Sequence, residues 1–195
     1  DLDGWDDLII TNGDISSTKK IVSREFSRLL FRTDKLYRNL KGNEFEDMEK
    51  GDFCPDFQSG RSLAISDYDK DGDPDVFVGN MNGFWGDFGP SSTGSKDITI
   101  YRNNLEEKNF LGIRLKGTSS NSMGIGSRVE VSYEGMKQMK TLTLGNSFYS
   151  QNSQELIFGF GNYSGSVKIS VYWPSSKITY MENVHINNHI TITET

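Results

Sequence analysis

Asp67-Tyr68-Asp69-Lys70-Asp71-Gly72-Asp73-Pro74-Asp75 runs directly into the apolar stretch Val76-Phe77-Val78. Five carboxylates in nine residues repel one another and cannot form a core, so this segment folds on itself best around a hard cation that collects its oxygens. Calcium (Ca2+) fits the spacing. Asp67, Asp69 and Asp71, at alternate positions, can turn three carboxylates to one centre, and Gly72 permits the bend behind them. The carbonyl of Asp73 and the carboxylate of Asp75 then complete an oxygen cage, whereas magnesium would ask for fewer protein ligands. An EF-hand starts in the same way, but its twelfth position would be Val78 rather than a bidentate Glu, and β-branched residues follow where its helix should begin. The stretch therefore reads as a calcium loop feeding a strand, with a solvated acidic turn as the plain alternative.

The same pattern opens the chain. Asp1-Leu2-Asp3-Gly4-Trp5-Asp6-Asp7-Leu8-Ile9-Ile10-Thr11-Asn12 lies on residues 69–80 at a constant offset of 68, the distance from Asp1 to Asp69. In this register Asp1, Asp3, Trp5 and Asp7 take the metal-binding places of Asp69, Asp71, Asp73 and Asp75. The equivalent of Asp67 would precede residue 1, so the chain is expected to be a piece of a longer protein. Leu36-Tyr37-Arg38-Asn39 returns as Ile100-Tyr101-Arg102-Asn103 at an offset of 64, the distance from Leu36 to Ile100. Two landmarks with nearly one period indicate repeated supersecondary units, and in all-β sequence these are propeller blades. Residues 1–108 are read as about two blades, a fragment of a larger propeller whose remaining blades are the implied structural partner.

Composition agrees with an all-β chain. Gly is abundant at 20 and Pro scarce at 4, and short β-branched runs alternate with Gly/Asn/Asp/Ser clusters. The 195 residues suffice for one large domain or two small ones. A net charge of −6, without clustered Lys and Arg, excludes nonspecific nucleic-acid binding. Cys54 stands alone, so there is neither a disulfide framework nor a thiolate zinc site. No apolar stretch approaches membrane-spanning length.

Within the repeats, Ile21, Val22, Phe26, Leu29 and Leu30 recur near helical spacing among Lys19, Lys20, Arg24 and Arg28, with Ser17 or Thr18 as cap. This reads as an insertion on the side of a blade, or alternatively as a membrane or partner contact. Leu36 to Met48 is predicted to be strand, Gly42-Asn43 turn and strand, with Phe45 in the core. Ser62 to Ile65 is the strand entering the calcium loop. The Gly/Ser-rich loop at 82–94 carries Phe84, Trp85 and Asp87, a candidate contact for a ligand that stacks on aromatic faces. A boundary is placed at Glu106-Glu107-Lys108-Asn109. Residues 109–195 then show seven predicted strands, at 111–116, 126–133, 137–144, 154–159, 166–173, 176–181 and 189–194, and read as an antiparallel β-sandwich.

The acidic loops with their trailing apolar strands resemble FG-GAP or VCBS repeats, the calcium-containing propeller blades of integrin α-chains and many secreted bacterial proteins. The second half resembles the ASPIC/UnbV domain of the cartilage acidic protein-like family. The stretches that carry this likeness are Phe110-Leu111-Gly112-Ile113-Arg114-Leu115-Lys116-Gly117, Gly124-Ile125-Gly126-Ser127-Arg128-Val129, Tyr149-Ser150-Gln151-Asn152, Phe158-Gly159-Phe160-Gly161 and Trp173-Pro174-Ser175. Ser176 stands where such domains usually have Gly. The resemblance implies an extracellular, cell-surface or periplasmic protein whose repeats hold calcium, and it supplies no catalytic residue.

Side chains also offer no catalytic constellation. His185 and His189 have the spacing of a zinc helix, but Ile186-Asn187-Asn188 and the following Ile190-Thr191-Ile192-Thr193 read as turn and strand. No nucleophile elbow, phosphate loop or Cys-His pair is visible, and calcium would hold the paired carboxylates ionised. The expectation is a noncatalytic, calcium-stabilised binding or adhesion module that recognises an extracellular protein or glycan. The alternative is an accessory part of a secreted or envelope enzyme whose active site lies in preceding blades.

Overall fold

The apolar run behind the acidic loop forms the middle of a three-stranded antiparallel sheet. In the computed structural model, which describes residues 1–12, 34–48, 60–80, 98–106 and 109–195, β5 (Asp75–Asn80) lies between β4 (Gly60–Ser66) and β6 (Ile98–Tyr101). Val76 pairs with Ile65 on one side and Tyr101 on the other, and Val78 is fully buried. The first repeat builds a matching antiparallel sheet from β1 (Leu8–Ile10), β2 (Lys35–Asn39) and β3 (Phe45–Asp47), in the order β1-β2-β3. At the offset of 68, β1 falls on Val76–Val78 of β5. All regular structure among the described residues is β, and the two meanders form a propeller fragment.

The hairpin between β2 and β3 differs from expectation by one residue. Lys41 (φ 56°) and Gly42 (φ 78°) are both left-handed, and the Asn43 amide donates to the Leu40 carbonyl at 3.2 Å. This type I′ turn is centred on Lys41-Gly42, because two consecutive positive φ angles match the twist of the flanking strands. Phe45 is 53% exposed rather than in a core, since it opens the edge strand of its sheet. The basic segment around 17–31, Cys54 and the Phe84-Trp85-Asp87 loop lie outside the described residues.

All seven strands expected after the boundary form: β7 (Phe110–Lys116), β8 (Arg128–Tyr133), β9 (Met136–Thr141), β10 (Leu156–Gly159), β11 (Ser166–Tyr172), β12 (Ile178–His185) and β13 (Asn188–Thr193). They make two sheets, β10-β7-β13 and β12-β11-β8-β9. Val129, Val131 and Tyr133 alternate with more exposed residues on β8, as do Val167, Ile169 and Val171 on β11, so each strand gives one face to the core. Leu111, Ile113 and Leu115 of β7, Phe158 of β10 and Ile192 of β13 close that core. One pairing departs from the antiparallel expectation: β13 runs parallel to β7, with Ile190 opposite Ile113. Parallel neighbours need a long crossover, and the whole of β8–β12 supplies it.

Candidate metal centre at the domain interface

Asp67 directly follows β4 and is only 3% exposed. The chain then turns back on itself through Lys70 (φ 63°) and Gly72 (φ 99°), and the Gly72 amide donates to Asp67 Oδ2 at 3.1 Å. Asp67, Asp69 and Asp71 each place one ligand atom within 4.8 Å of the others. Asp67 Oδ1 and Asp69 Oδ1 are buried and accept no hydrogen bond. Such oxygens are costly unless a cation meets them, so the donor set fits a hard metal ion. Burial pushes the Asp67 carboxyl above its ordinary value, against the opposing influence of the Gly72 amide and of the nearby His189 and Lys70 side chains.

Asp73 and Asp75 also tie the loop to its surroundings. Asp75 accepts the Tyr68 amide at Oδ2 (3.1 Å) and the Asn103 amide at Oδ1 (2.9 Å). Asp73 accepts the Leu105 amide at 2.9 Å, while its own amide donates to Asp71 Oδ1 at 3.2 Å. These two carboxylates strap the loop to the segment following β6. Arg102, from that segment, reaches Asp69 Oδ2 at 2.7 Å and Asp71 at 3.6 Å.

The first loop repeats this geometry. Leu2 (φ 59°) and Gly4 (φ 99°) copy the backbone of Lys70 and Gly72. The Asn39 amide donates to Asp7 Oδ1 at 2.8 Å, the Trp5 amide donates to Asp3 Oδ1 at 2.9 Å, and Arg38 pairs with Asp1 at 2.6 Å. The repeated Arg-Asn landmark is thus the loop's own clasp. Among the described residues Asp67, Asp69 and Asp71 gather as a triad. The Trp5 ring packs on the hairpin turn, where a Cβ on Gly42 would lie 2.7 Å from it.

The tips of both loops dock on the C-terminal sandwich. Gly161 donates its amide to the Leu2 carbonyl at 2.8 Å, and a Cβ on Gly159 would come within 2.5 Å of Leu2. A Cβ on Gly72 would come within 2.1 Å of the Phe110 ring. Lys70 pairs with Glu155, whose other oxygen meets His189 Nδ1 at 2.8 Å; His189 Nε2 lies 3.6 Å from Asp67 Oδ2. Burial pushes Glu155 up, but Lys70 and His189 together hold it below its ordinary value. Ser150 Oγ and the Ser153 amide donate to the Leu63 and Ile65 carbonyls at 2.5 and 2.9 Å, and Asn152 accepts the Ile65 amide at 3.0 Å. Residues 150–153 therefore cover the outer edge of β4, which would otherwise be open. A cavity of about 1020 Å³ remains between the two repeats and the sandwich, lined by residues that include Trp5, Arg38, Tyr101, Lys140, Asn152 and Glu155.

His185 and His189 sit on β12 and β13, in strands rather than on a helix, and His185 pairs in register with Ser166. The roles of Arg38 and Arg102 were within reach of the sequence, since both belong to the repeated landmark. Glu155 and His189 were not, because nothing local marks them as partners of an acidic loop some hundred residues away.

Repeated antiparallel meanders with Asp loops at one end, joined to a two-sheet sandwich, define a propeller-type repeat segment with an appended β-domain. Residues 1–78 match the FG-GAP-like repeat family and residues 117–195 match the ASPIC and UnbV family, so the chain carries an FG-GAP-like repeat followed by an ASPIC and UnbV domain. A comparison with curated proteins gives no match. FG-GAP repeats are typical of extracellular or envelope proteins, and the two domains fit a module of that setting. Among the described residues no helix is long and apolar enough to cross a membrane.

Proposed function

We propose that the chain is a noncatalytic, calcium-stabilised binding module that recognises an extracellular or envelope protein or glycan. The observation that carries the calcium part is Asp67, a buried carboxylate with one oxygen lacking a hydrogen bond, at the centre of the Asp67–Asp69–Asp71 triad. Hard, all-oxygen donor sets on a flexible loop favour calcium over the smaller magnesium, which keeps more of its water. The noncatalytic part is supported by the engagement of Asp73 and Asp75 with backbone amides, which leaves them unsuited to act as a carboxylic acid and base pair. Recognition is assigned to Trp85, Phe84 and Asp87, where aromatic area adjoins adaptable glycines.

Calorimetric titration and thermal melts in calcium, magnesium and chelator test this reading. Extracellular calcium modules bind at roughly 10⁻⁴ to 10⁻³ M, so about tenfold excess adds on the order of 1.4 kcal/mol. Calcium is expected to raise the melting temperature, and Asp69→Asn to abolish that rise. Superimposable melts in calcium and chelator would remove the calcium reading. Binding to a glycan array or a protein partner should fall on Trp85→Ala with the melt unchanged; a large loss of stability instead would make Trp85 structural.

A further inference from the structure

We infer that calcium occupancy and docking of the ASPIC and UnbV domain are coupled, with Glu155 as the positioning residue that links them. The inference rests on the calcium reading above and adds a residue, outside the acidic loop and across the domain boundary, that sets the affinity of the site.

The loop tip is a shared surface. The residues that must close around an ion, Asp67 to Gly72, are those against which the sandwich packs: Phe110 covers Gly72, and His189 stands 3.6 Å from Asp67. Glu155 is only 5% exposed at its side chain and is engaged at both oxygens, by Lys70 from the loop and by His189 from β13. A carboxylate fixed in this way holds Lys70, which sits between two Asp ligands, at the sandwich and away from the oxygens the ion requires. A free ammonium would be their natural competitor.

The first repeat supplies the contrast. Leu2 occupies the position of Lys70 with the same left-handed backbone, carries no charge, and meets the sandwich through backbone atoms, its carbonyl at the Gly161 amide and its Cα against Gly159. Both loops are ion-paired to the second domain, the first through Asp6 and Lys140 at 2.6 Å and the second through Lys70 and Glu155, and only in the second does the paired residue stand between two carboxylates of the triad. Two events that order the same few residues must assist one another, and the assistance is reciprocal: whatever docking adds to calcium affinity, calcium adds to docking.

Hydrogen exchange and calcium titration of the whole chain, with and without Glu155→Gln, test the coupling. Calcium is expected to slow exchange in the wild-type chain both at the loop and at residues 150–155 and 187–190, which carry Glu155 and His189 beside the loop. Glu155→Gln should weaken calcium binding by about fivefold or more, the lower end of typical coupling. If that variant is unfolded, Lys70→Gln serves: it should still bind calcium yet lose the calcium-induced protection at 150–155. Calcium binding with no protection of the second domain, or an unchanged affinity in a folded Glu155→Gln variant, overturns the coupling while leaving the calcium reading intact. A wild-type chain that binds no calcium overturns both.

Discussion

Ser176 shows how one side chain can sit against the local rule. It has φ 69°, and the Ser176 amide donates to the Trp173 carbonyl at 3.0 Å, closing a turn through Pro174 and Ser175. A three-residue hairpin of this kind wants glycine at its left-handed position, which accords with the glycine that the related domains usually carry there. Ser176→Gly should therefore stabilise the protein by about 1 kcal/mol, read from urea midpoints, and a loss of stability would contradict the strain. Glu194 is the opposite case, a buried acid with every need met. It is 3% exposed and accepts the amides of Thr118, Ser119 and Ser120 at 2.8, 2.8 and 2.7 Å, besides the hydroxyls of Ser120 and Ser175. Against burial, the Ser120 amide, the Ser175 hydroxyl and the other amides lower its pKa from 4.5 to about 2. A depressed folded pKa adds stability above the unfolded value and loses it as pH falls toward the folded one. Urea midpoints measured from pH 5 to 2 should show a fall in the wild type that is reduced in Glu194→Gln; parallel curves would refute the role.

At the scale of elements, the acidic loop followed by strand is one unit used twice, with glycine at the same step of the bend. Gly72 and Gly4 share φ 99°, but the surroundings differ: an added Cβ would meet the Phe110 ring at 2.1 Å in one and the Tyr133 hydroxyl at 3.2 Å in the other. Gly135, at the β8–β9 turn, has φ 79° and open space where a Cβ would stand. Gly135→Ala thus isolates the backbone penalty, about 1 to 2 kcal/mol. Gly72→Ala carries that penalty plus the displacement of an aromatic ring, and should cost about 1 to 3 kcal/mol more. Equal losses in the two variants would mean that Phe110 yields freely, and that the loop tip is not held against the sandwich.

For the whole molecule, the two halves have unequal means of standing alone. The principal buried cluster is drawn entirely from residues 111–192, both sheets of the sandwich contributing, whereas the meanders of the repeats expose Leu8, Ile10, Ile98 and Ile100. Repeat units bury their faces against neighbours, and a sandwich buries its own. Residues 109–195 expressed alone should give dispersed spectra and a cooperative melt. They should also be less stable than in the whole chain, since Gly159, Gly161 and residues 150–153 would lose the loops and strand edge they rest on. An unfolded product would mean that the interface is part of the sandwich's core energetics.

Much of this architecture was legible in the chain because its causes are local. Alternation at Val129, Val131 and Tyr133 declares a strand with one buried face, and the closely spaced Asp residues declare a loop that could hold a cation. The repeat was legible because Asp1 and Asp69, and Arg38 and Arg102, stand at nearly one period. Tertiary structure alone decided the parallel pairing of β13 with β7, the exposure of Phe45, and the meeting of Lys70 with Glu155 beside Asp67. The exposure of Phe45 follows from its strand lying at a sheet edge, and the other two depend on surfaces brought together across 70 or more residues, a range of contact that leaves no spacing or periodicity in the sequence that either partner could reveal by itself.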